Sequence, residues 1–273
     1  MDNLEIDGFL SRDITHWIEK HHTENKAWFE LAEEINRFAQ EQMLKLDIHN
    51  NDYQELLVAA GLFRTVSSFQ GTYVLLERGM IFEAGTQLRG QIESMFVVAA
   101  AANEREFAHR YILSDGVHKL RLMKNLLNSN DEIKAIVDTS VSWKEVVALK
   151  DQLKADNIND IQIKNIAIAA GYLNWYTVVY TYLSQMAAHP TPLSLDSYLF
   201  APDGKTATEF LWGPDVIGIS SILSSAIESL VIVLKKVSIM FAQDWSAVLD
   251  SIHGRLVALT KPEDDIMFGF KDA

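Results

Sequence analysis

Leu75-Leu76-Glu77-Arg78-Gly79-Met80-Ile81-Phe82-Glu83-Ala84-Gly85-Thr86-Gln87-Leu88-Arg89-Gly90-Gln91-Ile92-Glu93-Ser94-Met95-Phe96 holds a helix end, a turn and a helix start in close succession. Gly79 stands where a left-handed residue closes a helix. Apolar residues at helical spacing run into it from Tyr53 and away from it to Ala102. The spacing therefore predicts two long helices, 53–78 and 81–102, joined as a tight antiparallel hairpin. Gly61 and Gly71 weaken the first by up to ~1 kcal/mol each relative to alanine, unless a neighbour packs closely there.

Working outward, residues 10–24 and 26–46 read as two N-terminal helices, the second with Trp28, Leu31, Ala32, Ile35, Phe38, Ala39 and Met43 on one stripe. Asp47 to Asp52 is a polar loop, and Asn51 or Asp52 is the expected N-cap of the next helix. Helices at 104–127, 131–138, 142–154 and 162–188 follow, the last ended by Pro190 and Pro192. Tyr198-Leu199-Phe200 and Phe210-Leu211-Trp212 flank an Asp203-Gly204 turn and predict a small β-hairpin. Pro214-Asp215 opens a serine-rich helix to about Phe241, and Trp245 to Leu259 forms the last one. From Lys261 the chain reads as a mobile tail. The expected fold is all-α: a multi-helix bundle of antiparallel hairpins with one β-hairpin near 198–212. A single domain, 1–273, is expected, with residues 1–50 packing on a 52–260 core.

Composition narrows the function classes. With 24 Lys and Arg against 37 Asp and Glu, the net charge is -13, which disfavours an extended nucleic-acid coat and leaves local RNA or nucleotide contact open. No cysteine is present, so disulfides and thiolate metal sites are excluded and a reducing compartment fits. The acidic start Met1-Asp2-Asn3-Leu4-Glu5 lacks the basic and apolar run of a signal peptide, so the expected location is cytoplasmic. Ile166 to Ala188 carries no charge and Val216 to Leu234 carries only Glu228. Both include several polar residues, so they read as buried central helices and not as membrane spans. No metal-binding spacing or glycine-rich phosphate loop occurs, and no cofactor is expected.

The chemistry-bearing residues lie on the second hairpin helix. Projected at 100° per residue, Glu83, Gln87, Gln91 and Ser94 share a face expected to be wet. Arg89 and Glu93 project from nearly the opposite, apolar side, four residues apart and able to meet. A charged couple aimed inward needs a further partner. The expected one is the end of the uncharged helix, where Tyr180, Ser184 and His189 offer two hydroxyls and an imidazole. Arg89, Glu93 and His189 are thus candidate catalytic residues, with Tyr180 and Ser184 as candidate substrate-binding residues.

Leu-Leu-Glu-Arg-Gly-x-x-x-Glu-Ala followed by Leu-Arg-x-x-x-Glu, within about Leu57 to Phe96, resembles a widespread bacterial family of helical proteins of unknown function. Tyr-x-x-Leu-Ser-x-x-x-x-His at Tyr180 to His189 is similar to that family's second motif. The resemblance covers about residues 50–200. It implies one site made of Arg89, Glu93, Ser184 and His189, and it implies no particular activity. A more distant resemblance is to helical ribonuclease-like toxin and antiphage domains, which pair an arginine with a histidine on one helix with four to six residues between them. Here Arg105 and His109 are separated by three residues and Arg110 and His118 by seven, so only Arg89 with His189, from two helices, could serve.

Two functions follow as expectations. One is a non-catalytic module, self-associating through exposed faces of the 215–241 helix as a homo-oligomer. The other is a metal-independent phosphodiesterase, with Arg89 on the phosphate, His189 as acid or base and Glu93 orienting Arg89.

Overall fold

The computed structural model describes residues 3–136, 141–201 and 206–260. The Asp203-Gly204 turn, the end of the helix expected at 131–138 and the tail from Lys261 lie outside them. The described chain is all-α with one two-stranded sheet. Short α1 (Asn3–Asp7) precedes α2 (Ile14–Glu24) and α3 (Lys26–Met43). The central hairpin is α4 (Tyr53–Glu77) and α5 (Ile81–Asn103). Next come α6 (Arg105–Asn128), α7 (Asp131–Ile136), α8 (Trp143–Ala155) and α9 (Ile163–Ala170).

The hairpin closes as its glycine predicts. The Gly79 amide donates to Leu76 carbonyl and the Met80 amide to Leu75 carbonyl, with Gly79 at φ +72°. That pairing caps the exposed carbonyls of α4. A Cβ at Gly79 would also lie 2.7 Å from the Asp215 nitrogen, which donates to the Gly79 carbonyl at 3.0 Å. One residue thus ties the hairpin turn to the start of the serine-rich segment. At the N-terminus of α4, Asp52 accepts from the amides of Gln54 and Glu55, settling which of the two expected caps is used. Gly61 lets α4 and α5 approach closely, since a Cβ there would overlap the Val98 side chain.

The uncharged helix expected at 162–188 is not continuous. Gly171, at φ +82°, ends α9. The chain resumes as α10 (Leu173–Trp175), widens into a π turn at Tyr176–Tyr180, tightens as α11 (Thr181–Leu183) and widens again at Ser184–Ala188. Thr181 Oγ1 donates back to the Tyr176 carbonyl at 2.9 Å, across the wider ring. After His189, extended as a residue before proline must be, come α12 (Pro192–Asp196), β1 (Leu199–Phe200) and β2 (Glu209–Phe210). The strands are antiparallel, Leu199 opposite Phe210.

Last are α13 (Ile219–Met240), opening after left-handed Gly218 and not at Pro214, and α14 (Ser246–Leu259). The α13 helix packs on α3, α4, α5 and α14 and is buried along most of its length. Of its serines, Ser229 and Ser238 are buried, while Ser220, Ser221, Ser224 and Ser225 keep partial exposure. One apolar cluster joins α3, α4, α5, α9, α13 and α14. Among the described residues no helix is long and apolar enough to cross a membrane.

Candidate functional site

The helix α5 is enclosed by α4, α13, α9 and the wide-turned run 173–188. The face expected to be wet is so only at its start: Glu83 and Gln87 are exposed, but Gln91 and Ser94 are not. Gln91 is fully buried, with Nε2 donating to the Ala226 carbonyl at 2.8 Å and to Ser229 Oγ at 2.7 Å. Ser94 is buried as well. The Arg89 and Glu93 side chains, expected in the core, keep 24% and 33% of their surface in solvent. A neutral amide can be wholly desolvated when it is hydrogen-bonded, whereas an ion pair loses more than it gains unless water still reaches it.

Around that couple the expected partners do assemble. Arg89 Nε donates to Ser184 Oγ at 2.9 Å, Nη2 donates to the Tyr180 hydroxyl, and Nη1 lies 3.1 Å from Glu93 Oε1. The Tyr180 hydroxyl donates onward to Glu93 Oε1 at 2.8 Å, and Ser184 Oγ to the Tyr180 carbonyl at 2.8 Å. Each hydroxyl both accepts and donates, so the circuit closes on itself. The guanidinium also sits 4.6 Å from the centre of the Tyr180 ring, which stacks on Tyr176 at 5.3 Å. Burial first, then the hydrogen bond to Glu93, pushes the Tyr180 phenol up to about 12, so it stays a donor. Four residues separate Tyr180 from Ser184, placing both on the side of the helix that meets α5. Gly85 aids the approach, as a Cβ there would lie 3.1 Å from the Ala187 Cβ.

His189 is not brought into this circuit. It is exposed beyond the second π turn, and its ring makes no hydrogen bond or ion pair among the described residues; only its carbonyl is used, by Ser194 Oγ and the Thr191 amide. The turn forced by Pro190 carries the imidazole outward.

Sequence reasoning missed two neighbours, Arg64 and Tyr111. Arg64 Nε donates to Ser94 Oγ at 3.1 Å, beside Glu93, and Tyr111 faces the same groove. Burial raises the Tyr111 phenol, with Arg64 opposing and Glu93 and Asp115 adding to the shift. Arg64 stood in the sequence as one more polar residue of a long helix, with no spacing signal to mark it. Among the described residues no group of three His, Asp or Glu is placed to hold a metal ion.

Fold and site together define an all-α protein in which an interrupted helix is clamped to a central hairpin by a closed Arg-Glu-Tyr-Ser circuit. The chain belongs to a family of unknown function, DUF5677, whose model matches residues 55–206. The matched region runs from α4 past β1 and contains all five candidate residues. No curated protein and no solved structure matches the chain.

Proposed function

We propose that this chain is a non-catalytic helical module that self-associates, and that Arg89, Glu93, Tyr180 and Ser184 form a polar lock holding the interrupted helix to α5. The observation that carries this reading is the closed circuit. Each of the three guanidinium nitrogens of Arg89 already has a partner within the chain, and the carboxylate that neutralises it lies on its own helix. Clamping a phosphate bidentately takes a guanidinium edge with two free nitrogens, and proton transfer takes a nearby carrier. The candidate carrier, His189, lies outside the circuit.

Self-association falls to the bundle end around the β-hairpin. There Phe210, Leu211, Trp212, Val216 and Ile217 are exposed together, with Ile217 at 76% and Phe210 at 78%. Contiguous exposed apolar surface of this kind supports a protein contact. Sedimentation equilibrium of wild type and Trp212→Ser tests it: the substitution lowers the association constant, and a wild type that stays monomeric at high concentration overturns this half of the reading.

A ribonuclease-like effector is the second reading, favoured by the quarter of the Arg89 side chain left in solvent. Expression of wild type, Arg89→Lys and His189→Ala in cells, with growth and total-RNA integrity as readouts, separates the two. The lock reading expects intact RNA in all three cultures. RNA loss with wild type that His189→Ala abolishes would overturn it.

A further inference from the structure

Beside the lock lies the groove that Arg64 and Tyr111 face. It is bounded by α4, α5, α6 and α9, and encloses about 350 Å³. Leu57, Val97, Ile163 and Ile166 give it apolar walls. Polar groups reach it from three directions: Arg64 and Ser94, Tyr111, and Glu93.

Their hydrogen bonding is incomplete. Arg64 uses only Nε, on the neutral Ser94 hydroxyl; its two terminal nitrogens have no hydrogen bond and no carboxylate within ion-pair reach among the described residues. The half-buried Tyr111 hydroxyl likewise has no partner among them. Glu93 takes its hydrogen bond from Tyr180 and its ion pair with Arg89 on Oε1, leaving Oε2 free among the described residues. Donors held against apolar walls gain from an acceptor that fills the space. A guanidinium with both terminal nitrogens free matches the paired oxygens of a carboxylate, sulfonate or phosphate. The volume falls in the range of small-molecule sites.

We propose that this groove binds a small organic anion with an apolar body. The anionic head meets Arg64 and the Tyr111 hydroxyl, and the body lies along Leu57, Val97 and Ile166. A hydroxyl or amine on that body donates to Glu93 Oε2, which repels a second anionic group from that end. The net charge of -13 gives anions no general attraction to the chain, so affinity depends on Arg64. The proposal stands whether the neighbouring lock is structural or catalytic.

The full chain can be titrated with 8-anilinonaphthalene-1-sulfonate, which carries a sulfonate, an N–H and apolar rings. Amide chemical shifts locate the probe. Perturbations gathered at Gly61, Ser94 and Val97 are expected. Losing a charge-assisted contact should weaken binding about tenfold or more in Arg64→Ala. Arg64→Gln, which keeps a donor for Ser94 without the charge, should weaken it comparably and guards against a folding defect. Ala60→Trp, reaching into the groove, should block it, and Trp212→Ser should leave it unchanged. Perturbations confined to Phe210–Ile217, or unaltered affinity in both Arg64 variants, would overturn the proposal.

Discussion

Two polar sites share one stretch of α5, on opposite faces, and obey different rules. On one side Gln91, neutral and wholly buried, bonds to the Ala226 carbonyl and Ser229 of α13. On the other, the charged Arg89–Glu93 couple bonds to Tyr180 and Ser184 and keeps contact with water. The helix has no wet face between them, because packed elements surround it. What differs is the cost of desolvation. An amide with two hydrogen bonds can be sealed; an ion pair is kept at a groove where solvent still screens it.

The largest effect is expected on the sealed side. Gln91→Ala removes two hydrogen bonds and leaves a cavity, which should cost about 3 kcal/mol of stability. Gln91 Oε1 is itself buried without a partner, so Gln91→Leu, similar in volume and free of that orphan, should cost about 1 kcal/mol or less. Urea denaturation of both variants measures the difference. If leucine is as damaging as alanine, the hydrogen bonds, and not the volume, fix this site.

Arg89→Ala comes next. Breaking a fully buried pair costs ~3–5 kcal/mol, but the remaining exposure here reduces that to about 2 kcal/mol. Glu93 keeps Tyr180 as a donor, so the double variant Arg89→Ala/Glu93→Ala should fall short of the sum of the singles by about 1 kcal/mol. Arg89→Ala proving worse than Gln91→Ala would reverse the comparison between the two sites.

Their reversal in the sequence has a physical origin. Helical projection separates wet from dry only when a helix has one solvent face, and α5 has none over its middle. The partner of Gln91 is 135 residues away, and no local pattern names it. The hairpin was legible because Gly79 is a local signal, and Asp52 as an N-cap likewise. Arg89 with Glu93, and Tyr180 with Ser184, were legible because spacing of four survives burial. The break at Gly171 was missed, because one glycine inside a long apolar run also fits an unbroken helix, as Gly61 and Gly71 do in α4. The π turns were not, since Tyr176 to Ala188 carries no residue that demands them. His189 was grouped with the site by sequence distance along a helix, but Pro190 ends the helix before the imidazole can turn inward.

Tyr180→Phe tests the charged side through pH. Losing the hydroxyl should cost about 1 kcal/mol at neutral pH. With its phenol held at about 12, Tyr180 stays protonated in the fold while the unfolded chain ionises near the ordinary value of 10. Between those values the unfolded state binds fewer protons, so stability is flat below pH 10 and falls as pH rises through the window. Other buried tyrosines, Tyr172 and Tyr182 among them, shift the same way, so the informative quantity is the difference between wild type and Tyr180→Phe. That difference should shrink between pH 10 and 12. A constant difference would mean that Tyr180 ionises as freely in the fold as outside it.

The two serines give the finest comparison. Ser229 accepts from Gln91 in a sealed setting and donates to the Ala226 carbonyl; Ser184 accepts from Arg89 beside solvent and donates to the Tyr180 carbonyl. The bonding is the same in kind and differs in access to water. Ser229→Ala should therefore cost about 1.5 kcal/mol, because the Gln91 amide is left short of an acceptor it cannot replace. Ser184→Ala should cost about 0.5 kcal/mol, because water can take over the Arg89 Nε–H. Amide hydrogen exchange adds a local readout. Without Ser184 the second π turn loses its tie to Arg89, and amides 185–188 should exchange faster while those of α13 do not change. Equal costs for the two serines would show that water does not substitute at the lock, and that Arg89 is as sealed in solution as Gln91.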